Sequence, residues 1–286
     1  MSKKAVVTGG TGGIGLETAV GLAAEGWDVT VVGRDAARGD AAVARIDASA
    51  GRAAGRFLAA ELSSLARTRA LGRRLAAEGP LDLLVNNAGG MWVTRWESPE
   101  GVEAGIALNH LSPYVLTEEL LDALAAGAPS RIVNVTSSAV EAAQPVYDEM
   151  EPPGPYYGLA ATGRAKLAHL VHTLDLAERM KPRGVSVFAA DPGPADTANA
   201  AAMTIDILPP AMRPHWEMIR QAVSGPVPDA ARSPLAAATD PALEGSTGVV
   251  LDSDGRPDDK LTAPITPELA DAVRSWTAGL LATYAS

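Results

Sequence analysis

The chain has 286 residues, 47% of them hydrophobic, and a formal net charge of −10; this acidic balance excludes a general affinity for nucleic acid or anionic membrane, since both require cationic surface. With no cysteine, disulfides, thiolate catalysis and thiolate metal sites are excluded as well. Of the four histidines, His110, His169, His172 and His215, only His169 and His172 share a helical face, too few ligands for a metal centre, so no metal is expected.

In chain order, residues 5–8 form a short apolar run that enters a glycine cluster, and 16–24 follow with helical spacing until Gly26. The first strand begins so early that no signal sequence fits before it, and no stretch reaches the length of a bilayer span. A cytoplasmic protein with small-molecule partners is therefore expected. Strands are read at 28–32, 56–60, 82–85, 131–136, 185–190 and 248–251, and helices at 36–49, 65–78, 101–125 and 158–180. This alternation predicts an α/β protein with a Rossmann-type, doubly wound parallel sheet and helices on both faces. The length and even composition predict a single domain over 1–286. Two segments break the rhythm: 144–155, rich in proline and acidic residues, and a proline-rich stretch at 193–234 with a short helix at 214–222. Long irregular segments in a compact domain usually serve as functional loops, so 193–234 is read as a substrate lid.

The glycine cluster reads Thr8-Gly9-Gly10-Thr11-Gly12-Gly13-Ile14-Gly15. Set between a strand and a helix at the start of a βαβ unit, it has the context of a dinucleotide site: glycines let the backbone approach a pyrophosphate, and the helix N-terminus offers free N–H groups. The residue ending the second strand selects the dinucleotide, because a carboxylate takes a ribose 2′-hydroxyl and an arginine accommodates a 2′-phosphate. Here that residue is Arg34, followed by Asp35. The planar, multi-donor guanidinium points to NADPH/NADP in preference to NADH.

With these residues placed, the sequence resembles the short-chain dehydrogenase/reductase family, and within it the retinol-dehydrogenase-like members. Thr8–Gly15 matches the family's TGxxxGxG, which assigns Gly9, Thr11, Gly12, Gly13, Ile14 and Gly15 to the cofactor. Glu61-Leu62 stands where the family has an adenine-contacting Asp-Leu pair, and Asn86-Asn87-Ala88-Gly89 matches NNAG, adding Asn87, Ala88 and Gly89. Asn109 matches the helix asparagine of the active-site relay. Pro192-Gly193 with Thr197 matches the PGxxxT that embraces the nicotinamide carboxamide.

The resemblance breaks at one position. The family serine falls on Ser137 and the lysine of its YxxxK motif on Lys166, which would also bind the nicotinamide ribose, but four residues before Lys166 stands Thr162. Tyr156 and Tyr157 lie too far upstream to share the helical face of Lys166 without a rearranged loop. In the family, tyrosine gives a proton to the carbonyl oxygen while hydride reaches the carbon, a lysine lowers the tyrosine pKa, and serine holds the carbonyl. A threonine hydroxyl is far too feeble an acid for that role, though it can hydrogen-bond a water or substrate oxygen.

Three functions follow. The first is an NADPH-dependent ketoreductase whose proton comes from a substrate hydroxyl, from a water held by Thr162, Ser137 and Lys166, or from Tyr156 or Tyr157. The second is an imine or C=C reductase with the same cofactor. The third is a non-catalytic, cofactor-binding homologue. Met203, Ile205, Ile207, Leu208, Pro209, Met212, His215 and Trp216, with Met91, Trp92 and Trp96, would line a pocket for a bulky apolar, polyketide-like ligand. The resemblance also implies a homodimer or homotetramer through the helices at 101–125 and 158–180.

Overall fold

The computed structural model describes residues 2–152 and 154–284. Seven parallel strands, β1 (Lys4–Thr8), β2 (Asp28–Gly33), β3 (Gly55–Ala59), β4 (Leu83–Asn86), β5 (Ser130–Val135), β6 (Val185–Ala190) and β7 (Val249–Leu251), form one sheet in the order 3-2-1-4-5-6-7. Val6 pairs with Thr30 on one side and Leu84 on the other. The central strands are apolar on both faces, Leu83, Leu84, Val85, Ile132 and Val133 all being fully buried, as expected of a sheet covered by helices on each side. The strand order reverses between β1 and β4, which opens a crevice beyond their C-terminal ends.

Helices α1 (Gly13–Ala24) and α2 (Ala36–Ala50) cover one face; α3 (Leu65–Ala76) covers the other. There it is joined by a longer helical stretch made of α4 (Ala104–Ile106), a π-helical turn over Ala107–Leu111 and α5 (Ser112–Ala126), and by α6 (Gly158–Met180). The expected helix at 101–125 is thus interrupted by a π turn that includes Asn109 and His110. Such turns recur at functional sites because they swing side chains out of helical register. The segment 193–234 holds short helices α7 (Ala198–Ala201), α8 (Trp216–Ala222) and α9 (Val227–Ala230) joined by 3-10 turns.

Two further helices fall outside the sequence reading, in which regular structure ends at 251. Helix α10 (Arg232–Thr239) completes the face covered by α1. Helix α11 (Pro267–Tyr284) lies over α6 and buries Ala270, Val273, Trp276 and Leu280. Its signal is present in the chain: Thr266 caps it by accepting the Leu269 N–H at 3.2 Å, proline occupies its first turn, and its buried residues recur at helical spacing.

Residues 146–150 of the proline-rich segment are fastened down. Arg164 of α6 donates to the carbonyls of Val146, Met150 and Glu149, each at 2.7 Å, while Tyr147 returns a hydrogen bond to the Arg164 carbonyl at 2.8 Å. The Arg164 guanidinium also lies 4.5 Å from the Trp276 ring, so α6, this loop and α11 share one anchor. No helix among the described residues is long and apolar enough to cross a membrane.

Candidate active site

The glycine turn follows β1 with Gly9 and Gly13 at positive φ, 65° and 54°, which side chains other than glycine rarely adopt. Thr8 Oγ1 accepts the N–H groups of Asn87 and Ala88, both at 3.0 Å, and the Asn87 side-chain amide donates to the Thr8 carbonyl at 2.9 Å. A Cβ on Gly15 would stand 2.3 Å from Asn87 Nδ2. The turn and the 87–89 segment are therefore locked into one body across the topological switch. Gly12 precedes α1 without a side-chain cap, and no acidic residue enters the first turn. A helix N-terminus of this kind suits a pyrophosphate, so these residues fit a dinucleotide.

At the adenosine end, Arg34 is largely exposed (71% of its side chain) and pairs with Glu61 at 3.6 Å. Glu61 also accepts the Ser63 hydroxyl at 2.9 Å, and Leu62 is buried beside it. Asp35 is committed elsewhere: its carboxylate caps α2 by accepting the Arg38 N–H at 2.9 Å. Arg38, which the sequence reading passes over, brings its guanidinium over the glycine turn, where a Cβ on Gly12 would stand 2.5 Å from Nη2. Two arginines and no free carboxylate thus flank the end of β2, apart from the one paired to Arg34. The signal for Arg38 was its position on the first turn of a helix whose N-terminus faces the crevice.

The catalytic candidates gather on the other side of the glycine turn. Ser137, just past β5, accepts the Ala139 N–H at 3.1 Å, which leaves its hydroxyl proton available to a ligand. Lys166 is buried and donates to the Val135 carbonyl at 2.7 Å. Burial pushes its pKa down to about 8, with a partly opposing pull from the Asp191 carboxylate. Asn109 clamps Gly90, its Oδ1 accepting the Gly90 N–H at 3.0 Å and its Nδ2 donating to the Gly90 carbonyl at 2.9 Å. Thr162 aims its hydroxyl at the same carbonyl, 3.4 Å away. Gly89 has no room for a side chain, since a Cβ would meet Asn109 Oδ1 at 2.4 Å and Lys166 Nζ at 3.4 Å. Thr162, Lys166 and Asn109 therefore converge around 89–90, and Ser137 follows two residues after the Val135 carbonyl that Lys166 holds.

Tyr156 does not join them. Tyr157 is the residue that leads into α6. The Tyr156 hydroxyl faces the buried Glu103 carboxylate at 3.4 Å, and burial together with that carboxylate pushes the phenol pKa up, opposite to what a proton donor needs. Glu103 in turn is occupied in starting α4, accepting the Gly105 and Ile106 N–H groups at 2.8 and 2.9 Å.

Across the crevice, Gly193 follows the buried Pro192 at φ 66° and Thr197 caps α7 through the Ala200 N–H at 3.1 Å. The Thr197 methyl comes close to the glycine turn, 3.3 Å from where a Cβ on Gly13 would lie. Asn199, unmarked in the sequence reading, exchanges two 2.9 Å hydrogen bonds with the Met91 backbone and so ties the segment after β6 to the post-β4 loop. Of the expected lining residues, Ile207 and Leu208 are buried in the domain and His215 is exposed. Trp92 and Trp96 stack edge to face with ring centres 5.6 Å apart. Among the described residues, no group of three or more His, Asp or Glu is placed to hold a metal.

Comparison with known proteins adds three findings. The family model for short chain dehydrogenases matches residues 3–207. The chain is 35% identical to retinol dehydrogenase 12 of Mus musculus over 192 residues, 67% of this chain, and the match spans 61% of that relative's length. Among solved structures, an uncharacterized protein of Mycobacterium Paratuberculosis superposes with a TM-score of 0.74 at 23% identity, covering 97% of this chain and 92% of the other. A Pseudomonas aeruginosa RhlG/NADP complex gives 0.68 at 29% identity, covering 88% and 95%.

Proposed function

The chain belongs to the short-chain dehydrogenase family of NAD(P)-dependent oxidoreductases, and from that premise we propose that it is an NADPH-dependent carbonyl reductase whose proton comes from Lys166 rather than from a tyrosine. The observation that carries this reading is the pairing of Thr162 with a buried Lys166 one helical turn away, beside Ser137 and Asn109.

The cofactor would lie with its pyrophosphate on Gly12–Gly15, its 2′-phosphate between Arg34 and Arg38, and its nicotinamide end under Thr197 and beside Lys166. When bound in reduced form it supplies the hydride. Ser137 retains a hydroxyl proton with which to hold a carbonyl oxygen. Thr162 holds a water or the substrate oxygen itself, and the Lys166 ammonium is the acid behind it. A pKa near 8 keeps Lys166 mostly charged at neutral pH yet ready to give up its proton, which is the balance general acid catalysis requires. Threonine occupies less space than tyrosine, so the site also gains room above the nicotinamide for a bulky aromatic substrate, with Trp92 and Trp96 nearby.

The test is NADPH consumption against a panel of hydroxylated aromatic ketones and simple ketones. Reduction of at least one, with the product carrying deuterium at the carbinol carbon when NADPD is used, is the expected result. Deuterium delivered instead to an imine or alkene carbon would identify the second reading, and tight NADPH binding with no turnover on any of these acceptors would identify the non-catalytic one.

A further inference from the structure

Helix α6 carries a polar stripe that continues beyond the cofactor cradle. Thr162, Lys166, His169, His172, Asp175 and Arg179 succeed one another at intervals of three or four residues, so they wind along one side of the helix. The first four are 4%, 8%, 4% and 9% exposed. The last two reach the surface, where Asp175 pairs with Arg274 at 2.7 Å. The stripe thus runs from the catalytic groups through the domain interior to solvent behind the sheet.

The histidines on this stripe are poorly paired. Neither ring nitrogen of His169 has a protein partner, nor has Nε2 of His172. His110 joins them from the π-helical turn: its Nε2 meets the Thr277 hydroxyl at 2.8 Å, and its Nδ1 also lacks a protein partner. Ring centres lie 6.0 Å apart for His110 and His169 and 5.6 Å apart for His169 and His172. Four such nitrogens left dry would destabilise the fold, and native cores satisfy such groups with protein or with water. His172 also lines a cleft of about 240 Å³ with Tyr114, Asp175, Arg179, Arg274 and Thr277. Apolar Val171, Leu176, Val273 and Leu281 share the lining, and the polar groups beside His172 give water that enters the cleft hydrogen-bond partners at the mouth of the histidine row.

We propose that His172, His169 and His110 hold a chain of water molecules that carries protons from this cleft to Lys166. The proposal rests on the reading of Lys166 as the proton source. Each carbonyl reduced takes one proton from Nζ to its oxygen, which leaves a neutral amine. One proton enters from solvent at His172, each imidazole accepting on one nitrogen as it releases from the other, and ends on Nζ. Each imidazole that passes a proton is left in its other tautomer, which exchange with the same water resets, and the net uptake is one solvent proton per turnover. The three rings serve as positioning residues for this water, acting on the reaction through Lys166.

The test is the exchange of histidine ring protons with water, followed by NMR on the ¹⁵N-histidine-labelled full chain without cofactor or substrate. The lane predicts that the His169 ring proton exchanges within seconds despite its burial. It also predicts that His172→Phe, which plugs the mouth, slows that exchange at least tenfold while the circular dichroism spectrum holds. A His169 ring proton protected for hours in the unsubstituted protein overturns the proposal and needs no variant to do so. An unchanged exchange rate at His169 in a folded His172→Phe protein overturns the route through the cleft. Because the measurement uses the free protein, absence of reductase activity leaves its outcome untouched, and a protected His169 in an active reductase removes the lane alone.

Discussion

At the β1–β2 side of the crevice, Gly9 and Gly13 hold positive φ, Asn87 packs into the space below Gly15, and Arg34 and Arg38 flank the end of β2. On the α6 side, Asn109 and Thr162 meet Gly90, Lys166 holds the Val135 carbonyl and Ser137 follows just behind it; we propose that these are the family's catalytic positions, with Thr162 where the tyrosine would stand. The first region is made of backbone: its hydrogen-bond donors are N–H groups, and its tolerances are set by sub-3 Å clearances that a single methyl would violate. The second is made of side chains, where one hydroxyl or ammonium can be exchanged for another if a proton still arrives. Chemistry can therefore be rewired on α6 without disturbing the cradle.

The largest expected effect that would break this comparison is at Lys166. Replacing it with methionine should lower turnover on the order of 10²- to 10⁴-fold, the usual contribution of a positioned acid. The same change should stabilise the protein. Burial lowers the folded-state pKa from 10.5 to about 8, so the charged form is disfavoured in the fold. At ~1.4 kcal/mol per pKa unit, relief of that penalty is worth about 3 kcal/mol at pH 7. The penalty fades as pH rises from 8 towards 10.5, so the advantage of Lys166→Met over the parent in urea melts should shrink over the same range.

Next in size is acid sensitivity. Burial holds His110 and His172 down to about 3 and His169 well below its usual value, with neighbouring cationic groups at Arg164, Arg179 and Lys166 adding to the effect. The other titratable or charged groups facing them are Tyr114, Asp175 and Arg274. A histidine whose pKa is depressed by folding leaves the unfolded chain to take up the proton first, so stability falls as pH drops below about 6.5. Three together cost up to about 4 kcal/mol per pH unit in that range. Denaturant melts between pH 7 and 5 should show this slope, and His169→Phe should flatten it by about one third.

The smallest effect sharpens the cofactor side. Arg34→Ala and Arg38→Ala should each weaken NADPH about tenfold, the loss of one charge-assisted hydrogen bond near the surface, and leave NADH unchanged. Equal losses for both cofactors in fluorescence titrations would place the arginines elsewhere.

The strands and the glycine turn were legible because period, burial and turn chemistry all act locally. The 23 residues of α6 were read with their observed ends, and 193–234 correctly stood out from the βα rhythm. Other features depend on distant partners. Arg38 was missed because the reading stopped at the end of β2, whereas its guanidinium reaches back to Gly12 from the first turn of α2. The segment 144–155 looked like a free loop because its backbone carbonyls are met by Arg164, a partner that no local pattern reveals. Helix α11 was legible in principle from Thr266, Pro267 and its apolar spacing, and it is the element that turns His110, His169 and His172 from a surface pair and a neighbour into a buried cluster.

The most direct measurement of the central claim is the pH dependence of kcat for NADPH-dependent reduction of a responsive ketone. If Lys166 supplies the proton, kcat falls as pH rises through about 8, the pKa to which burial brings its ammonium, and Lys166→Arg, whose guanidinium stays charged, loses that transition. A kcat flat from pH 7 to about 9, or a transition that survives unchanged in Lys166→Arg, would contradict the assignment of the acid to Lys166.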